Sequence, residues 1–225
     1  MIPFMEPRRY TLKAPDSYHH GQLRTELIKL GLEALETEGA ELISLRSLAE
    51  RAGVSKTAPY RHFKDKEAFL GAVADEGFRL LCEELERAWT AADSPPDEAA
   101  VNPLVALLGR AYMDFAVGHP ALYRLMNSPL VCSMPEGSMQ WARRSLLILA
   151  RALATRPQWG ATQTAGAENP ANAPARNASA LDIDAVAANW GYIHGIVLLR
   201  IDGLFPRDLP EPDWNRLAAT LPSPP

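Results

Sequence analysis

Apolar residues recur along this chain at intervals of three and four, and the helices that this spacing predicts account for most of its length. Leu23, Leu27, Leu30 and Ala34 mark the buried face of a first helix, from Ser17 or Tyr18 to about Glu38. Gly39 is placed to end it, just beyond the C-cap. Leu45, Leu48 and Ala49 give a short second helix over 45–52. A third is expected over 56–62, with Ser55 as its N-cap. Asp65 caps a long fourth helix that reaches about residue 92 on a stripe of Phe69, Val73, Leu80, Leu81, Leu85 and Trp89. Asp93-Ser94-Pro95-Pro96-Asp97 breaks that pattern. Further helices follow over 102–117, over 120–126 with Pro120 in first position, over 136–155, over 182–204 and over 213–221. No sustained period-two alternation appears, so the expected fold class is all-α, with about nine helices.

The stretch Ser44–Leu70 is the most specific part of this pattern. Ala49 is small enough for another helix to cross close by, and Val54 can plug the gap between two short helices. Gly53 stands where the chain must turn sharply, and a positive φ is cheap only for glycine. Pro59 falls inside the third helix and is tolerated there only in the first turn, so that helix is expected to be short. Lys56, Thr57, Tyr60, Arg61 and His62 lie on it, a set of side chains suited to phosphates and base edges.

Charge sharpens this picture. The whole chain of 225 residues carries a net charge of −4, which by itself argues against nucleic acid. Its distribution argues the other way. Residues 1–70 hold 11 basic and 10 acidic side chains, and residues 71–225 hold 12 and 17. All five lysines (Lys13, Lys29, Lys56, Lys64 and Lys66) fall in the first 66 positions. The acids Glu33, Glu36, Glu38 and Glu41 are expected away from the DNA face. A locally basic surface on an acidic protein fits sequence-specific binding better than general nucleic-acid affinity.

Residues 1–16 read as a flexible arm carrying Arg8, Arg9 and Lys13, and 157–180, rich in Ala, Asn, Pro and Gly, as a flexible loop. The domains are then an N-terminal helix-turn-helix unit over 17–65 and a C-terminal helical unit over 66–225. No apolar run reaches the roughly 20 residues of a membrane span, and the first residues lack the apolar core of a signal peptide. A cytoplasmic protein is expected. Cys82 and Cys132 have no CxxC spacing and read as two buried free thiols. His19 and His20 are neighbours that do not share a helix face, so no metal site is expected. No cofactor motif or enzyme signature is present among GxGxxG, GxSxG, HExxH and the P-loop.

YHHGQLR, SLRSLAERAGVS and APYRHFKDKEAFL together resemble the DNA-binding domain of the TetR/AcrR family of bacterial regulators, from Tyr18 to about Val73. YMDFAVGHPALYRLM (Tyr112–Met126) and NWGYIHG (Asn189–Gly195) are similar to a TetR C-terminal domain named for its Trp, His and Gly, here Trp190, His194 and Gly195.

The resemblance implies DNA contacts by Tyr60 and Arg46 and a phosphate contact by Lys66. Lys66 follows the Asp65 cap, where a cation opposes the helix dipole unless an anion docks there; a solvated lysine is the plain alternative. Lys56 and Thr57 are the candidates for base edges, Arg61 and His62 for further contacts, with one of these two facing helix 1. Ser44 caps helix 2 and lies at the same surface. In the C-terminal half Trp190 and His194 share a face, as do Gly191 and Gly195. Core packing and the wall of an effector pocket are both consistent with them. Tyr112, Phe115, Tyr123 and Met126 are candidates for the same pocket. Glycines within a helix cost about 1 kcal/mol each relative to alanine, which close approach by a second helix would explain.

The expectation is a homodimeric, sequence-specific transcriptional regulator. It would repress from a palindromic operator in double-stranded DNA and be released by a small-molecule effector, without contact to membrane. Two other readings remain open at this stage: an all-α enzyme that binds small molecules, and a helical interaction protein whose DNA head is vestigial.

Overall fold

In the computed structural model, residues 22–91, 103–135, 139–154, 183–206, 208 and 210–219 are described. The regular elements among these residues are all helical, with no strand among them. The arm at 1–16, the first residues of helix 1, His19, His20 and the loop at 157–180 lie outside them. The elements are α1 (Gln22–Glu38), α2 (Leu45–Arg51), a 3-10 turn (Ala58–Arg61), α3 (Lys66–Ala91), α4 (Pro103–Gly118), α5 (Pro120–Met126), α6 (Pro129–Cys132), α7 (Gln140–Ala154), α8 (Ile183–Ile201) and α9 (Trp214–Ala219).

The chain forms two compact units, and they divide it elsewhere than at residue 66. The first unit holds α1, α2, the 3-10 turn, the first half of α3 to Phe78, and α5 and α6. Its core is made by the stripes expected from the sequence: Leu23, Leu27, Leu30 and Ala34 on α1, Leu45, Leu48 and Ala49 on α2, and Phe69 and Val73 on α3 are all buried. Full burial of one such large side chain contributes roughly 1.5–3 kcal/mol. Phe63 is buried with its ring edge-on to Phe69 at 5.0 Å between centroids. The contact of α1 with α3 is close at Gly31. A Cβ built there would lie 2.5 Å from Cζ of Phe69, so only glycine admits the fully buried ring.

Helix α5 joins this unit by a contact that no local signal announces. His119, at its N-cap, makes no side-chain cap. The Glu36 carboxylate of α1 instead accepts hydrogen bonds from the N–H groups of Ala121 (3.3 Å) and Leu122 (3.0 Å). A carboxylate at a helix N-terminus meets both unpaired donors and the positive end of the dipole. Short α6 lies outside the elements expected from the sequence. Val131 is buried on it and Cys132 faces solvent, so of the two thiols expected to be buried only Cys82 is.

The second unit holds the second half of α3, α4, α7, α8 and α9. α7 packs on α8, and α8 on α9. The half-buried Arg144 of α7 donates twice to one Glu86 oxygen of α3, at 2.9 and 2.6 Å. The buried face of α8 consists of Ala185, Asn189, Ile193, Ile196 and Val197. Asn189 is satisfied on one side by donating from Nδ2 to the Ala185 carbonyl at 2.8 Å. α8 ends at Ile201 rather than 204, because Gly203 takes φ 62° and turns the chain. Asp213 caps α9 by accepting from the Arg216 N–H at 2.9 Å. Phe205 meets Trp214 edge-on.

Candidate nucleic-acid interface

The segment from Ser44 to Phe63, which carries the candidate DNA contacts, is held by local hydrogen bonding. At the front, Ser44 takes extended backbone (φ −132°, ψ 141°) and its Oγ accepts from the Ser47 N–H at 3.0 Å, while Ser47 Oγ donates to the Ser44 carbonyl at 2.9 Å. Two hydroxyls thus close the first turn of α2. At its other end Gly53 takes φ 67°. The Gly53 N–H donates to the Glu50 carbonyl at 3.1 Å and the Val54 N–H to that of Ala49 at 2.9 Å, the paired bonds of a Schellman turn. α2 is therefore stopped after two turns and the chain is aimed into the next element.

That element differs from the α-helix expected over 56–62. It is a 3-10 turn over Ala58–Arg61, and Ser55 does not cap it with its side chain. The Ser55 carbonyl accepts from the Ala58 N–H at 2.9 Å, and its hydroxyl lies 3.2 Å from that of Thr57. Pro59 is the physical reason. It has no N–H to return to Ser55, and its ring crowds the carbonyl that an α-turn would place there, so the backbone takes tighter three-residue bonds. Tyr60, His62 and Phe63 then bond back to Thr57 and Pro59 at 2.9–3.2 Å. Buried Pro59 and Phe63 anchor the turn from below.

The outcome is a narrow exposed ridge. Lys56, Thr57 and Arg61 are exposed, and Tyr60 is 48% exposed despite its apolar ring. His62 is half-buried, with its ring centroid 6.5 Å from that of Phe63, so it is the one of the Arg61–His62 pair turned inward. Ser44 and Arg46 are exposed at the start of α2. Asp65 caps α3 by accepting from the Ala68 N–H at 2.7 Å. Lys66, the next residue, donates from Nζ to the Glu41 carbonyl at 2.7 Å, which orients the ammonium at the head of α3 and leaves two of its three protons for another acceptor.

The acids are placed unequally. Glu33 and Glu38 pair with Arg51 at 3.4 and 3.5 Å, and Glu36 caps α5, which keeps all three off the ridge. Glu50 is the exception, and it is absent from the acids singled out in the sequence. Its Oε1 lies 2.7 Å from Nζ of Lys56. The hydrogen bond and the charge of Lys56 hold its carboxyl below the ordinary value of 4.5, so it is ionised at neutral pH. The six-residue spacing of Glu50 and Lys56 signals nothing on a regular helix; the pair forms because the Gly53 turn folds the chain between them.

The six residues expected at an effector pocket fall in two units. Tyr123 and Met126 on α5 are core of the first, with Met126 Sδ and Leu122 Cδ1 each 2.8 Å from where a Gly77 Cβ would stand. Tyr112, half-buried, and Phe115, buried, lie on α4 of the second. Trp190 and His194 on α8 are brought together, their rings stacked at 5.4 Å and 25°. Burial lowers the His194 pKa from its ordinary 6.5. Gly191 and Gly195 have no atom within 4 Å of an added Cβ, so the close approach expected at them comes from nothing in the described chain. Among the described residues no group of His, Cys, Asp and Glu is arranged to hold a metal, and no helix is long and apolar enough to cross a membrane.

Comparison with known proteins finds two matched stretches, the second of which runs across both units. The profile described as bacterial regulatory proteins of the tetR family matches residues 27–73, and that described as tetracyclin repressor-like, C-terminal domain, matches 104–221. The chain is 30% identical over 112 residues to an HTH-type transcriptional regulator of Mycobacterium tuberculosis, covering 48% of this chain and 45% of that one. It is 46% identical over 52 residues to the tetracycline repressor protein class C of Escherichia coli, covering 23% and 24%. The matched parts thus span at most about half the length of these curated relatives. A solved structure of a protein of unknown function from Rhodococcus sp. RHA1 superposes with a TM-score of 0.62 at 28% identity, over 91% of this chain and 93% of that one.

Proposed function

The chain belongs to the tetR family of bacterial regulatory proteins, and from that premise we propose that it is a DNA-binding transcriptional repressor that acts as a homodimer on a palindromic operator. The observation that carries this reading is the ridge of Lys56, Thr57, Tyr60 and Arg61, exposed on a turn whose backbone is fixed by Gly53, Pro59 and buried Phe63. A backbone fixed in advance leaves less freedom to be lost on binding, which favours base readout. Lys56 and Thr57 are assigned to base edges. Ser44, Arg46, Tyr60, Arg61 and Lys66 are assigned to the phosphates that set orientation, and the inward-turned His62 to support of the ridge.

A second copy supplies the two-fold symmetry. The α8 face that carries Trp190, Gly191, Gly195 and Leu199 supports this: Trp190 and Leu199 are each 39% exposed, and the two glycines between them are uncovered. A partner α8 crossing there would cover all four, and a palindromic operator would offer the two copies half-sites about 34 Å apart, one turn of duplex. The effector is assigned to the second unit, with Tyr112, Phe115 and the Trp190–His194 pair as its lining. Such a lining suits a small, mostly apolar molecule. This is a regulator of the cytoplasm rather than an enzyme.

Selection from a random duplex library with purified protein tests the reading. An enriched palindrome is expected. Lys66→Ala should then weaken binding to all duplexes alike and reduce the salt slope by about 1, whereas substitution of Thr57 should alter the selected sequence. No enrichment from a folded dimer would overturn it.

A further inference from the structure

Among the basic residues proposed to meet DNA, together with Lys64 beside them, Lys56 is bound differently from the others; Arg51, which pairs with Glu33 and Glu38, is not in that set. Arg46, Arg61 and Lys64 make no ion pair among the described residues, and Lys66 is held by a neutral carbonyl. Lys56 alone in this set faces a carboxylate, that of Glu50 at 2.7 Å. Both side chains are more than half exposed, and an ion pair in that setting adds little to folding. The Glu50 side chain also takes no part in the Schellman turn, which uses only its carbonyl. What the pair does change is the charge the ridge presents to DNA.

We infer that Glu50 is a specificity-determining residue, one that holds Lys56 back from non-specific phosphate contact and releases it only against a duplex that offers enough other contacts. A lysine already neutralised by a carboxylate displaces no counterion when it nears a phosphate, so it contributes nothing to the sequence-independent part of affinity. The carboxylate itself remains near the duplex and repels it. On an operator, contacts of Thr57 and its neighbours repay the exchange of Glu50 for DNA. On an arbitrary duplex they do not. Affinity for random DNA therefore falls more than affinity for the operator, and the ratio that decides occupancy on a genome rises.

This rests on the DNA-binding reading above, and the test separates the two. Glu50→Gln keeps the size of the side chain and removes its charge. Binding is measured against salt on the selected operator and on an unrelated duplex of equal length. The expected result is several-fold tighter binding to the unrelated duplex, a smaller gain on the operator, and a slope of log affinity against log salt steeper by about 0.9 for each Lys56 set free. Lys56→Ala in the Glu50→Gln background should abolish the gain. A wild type that selects an operator while Glu50→Gln changes neither slope nor affinity for the unrelated duplex overturns the inference alone. So does a gain that survives Lys56→Ala. A wild type that binds no duplex overturns the DNA-binding reading, and the inference with it.

Discussion

Gly53 in the recognition turn and Gly191 on α8 lack a side chain for different reasons. At Gly53 nothing lies within 4 Å of an added Cβ, and the constraint is the backbone, held at φ 67° by the bonds that stop α2. At Gly191 the space is equally open, but the backbone is ordinary α-helix. The first glycine is explained entirely inside its own unit. The second has no cause within the described chain, and its cost to α8 is what the proposed partner surface would explain. A turn fixed by its own backbone and an uncovered helix face are the two features on which the proposed two-fold regulator rests: one would read DNA, and the other would be where two copies meet.

Substitutions at glycine break or sharpen that contrast, and the largest effect is expected at a third position. Gly31→Leu would drive a side chain into Phe69, which is fully buried and braced by Phe63. A loss of about 3 kcal/mol is expected, the upper end for overpacking a core. Urea unfolding measures it, and an unchanged midpoint would mean that α1 and α3 do not pack this closely. Gly53→Ala should cost about 1–2 kcal/mol, since alanine is strained in the left-handed region. Gly191→Ala should act in the opposite direction on the single chain, stabilising α8 by up to about 1 kcal/mol, while weakening self-association in sedimentation velocity. Equal and unfavourable effects of both substitutions on unfolding at low protein concentration would dissolve the contrast.

The smallest effect is a dependence on pH in the second unit. Burial lowers the His194 pKa in the folded chain below its ordinary 6.5, so the unfolded chain takes up the proton more readily. The sign follows from linkage: above about pH 6.5 the residue is neutral in both states and has no effect, and below it stability falls as pH falls. His194→Gln should therefore flatten the loss of melting temperature between about pH 7 and 5. A variant that loses as much as the wild type over that interval would remove His194 as the cause.

Several features were legible because their causes are local. The stripe on α1, the Ser44 and Asp65 caps, the positive φ at Gly53 and Pro120 in the first turn of α5 each depend on residues within about one turn of one another, and the structure has all of them. Pro59 was legible as a disturbance but not in its consequence. A missing donor says that an α-turn is weakened, whereas the change to a 3-10 turn also reflects the burial of Pro59 and Phe63 beneath it. Short α6 escaped because four residues are too few to carry a period.

By itself the sequence determined an all-helical chain, the position of its turn-and-ridge motif, and the residue types that motif exposes, since periodicity, capping and backbone permissiveness act between near neighbours. Only the tertiary structure decided which charges meet. It set Glu36 on the N-terminus of α5, 85 residues away, gave Arg51 to Glu33 and Glu38, placed Glu50 against Lys56, and left Gly191 uncovered. A charged side chain acts on whatever the packed backbone brings within a few ångströms, and that distance is written in no interval along the chain.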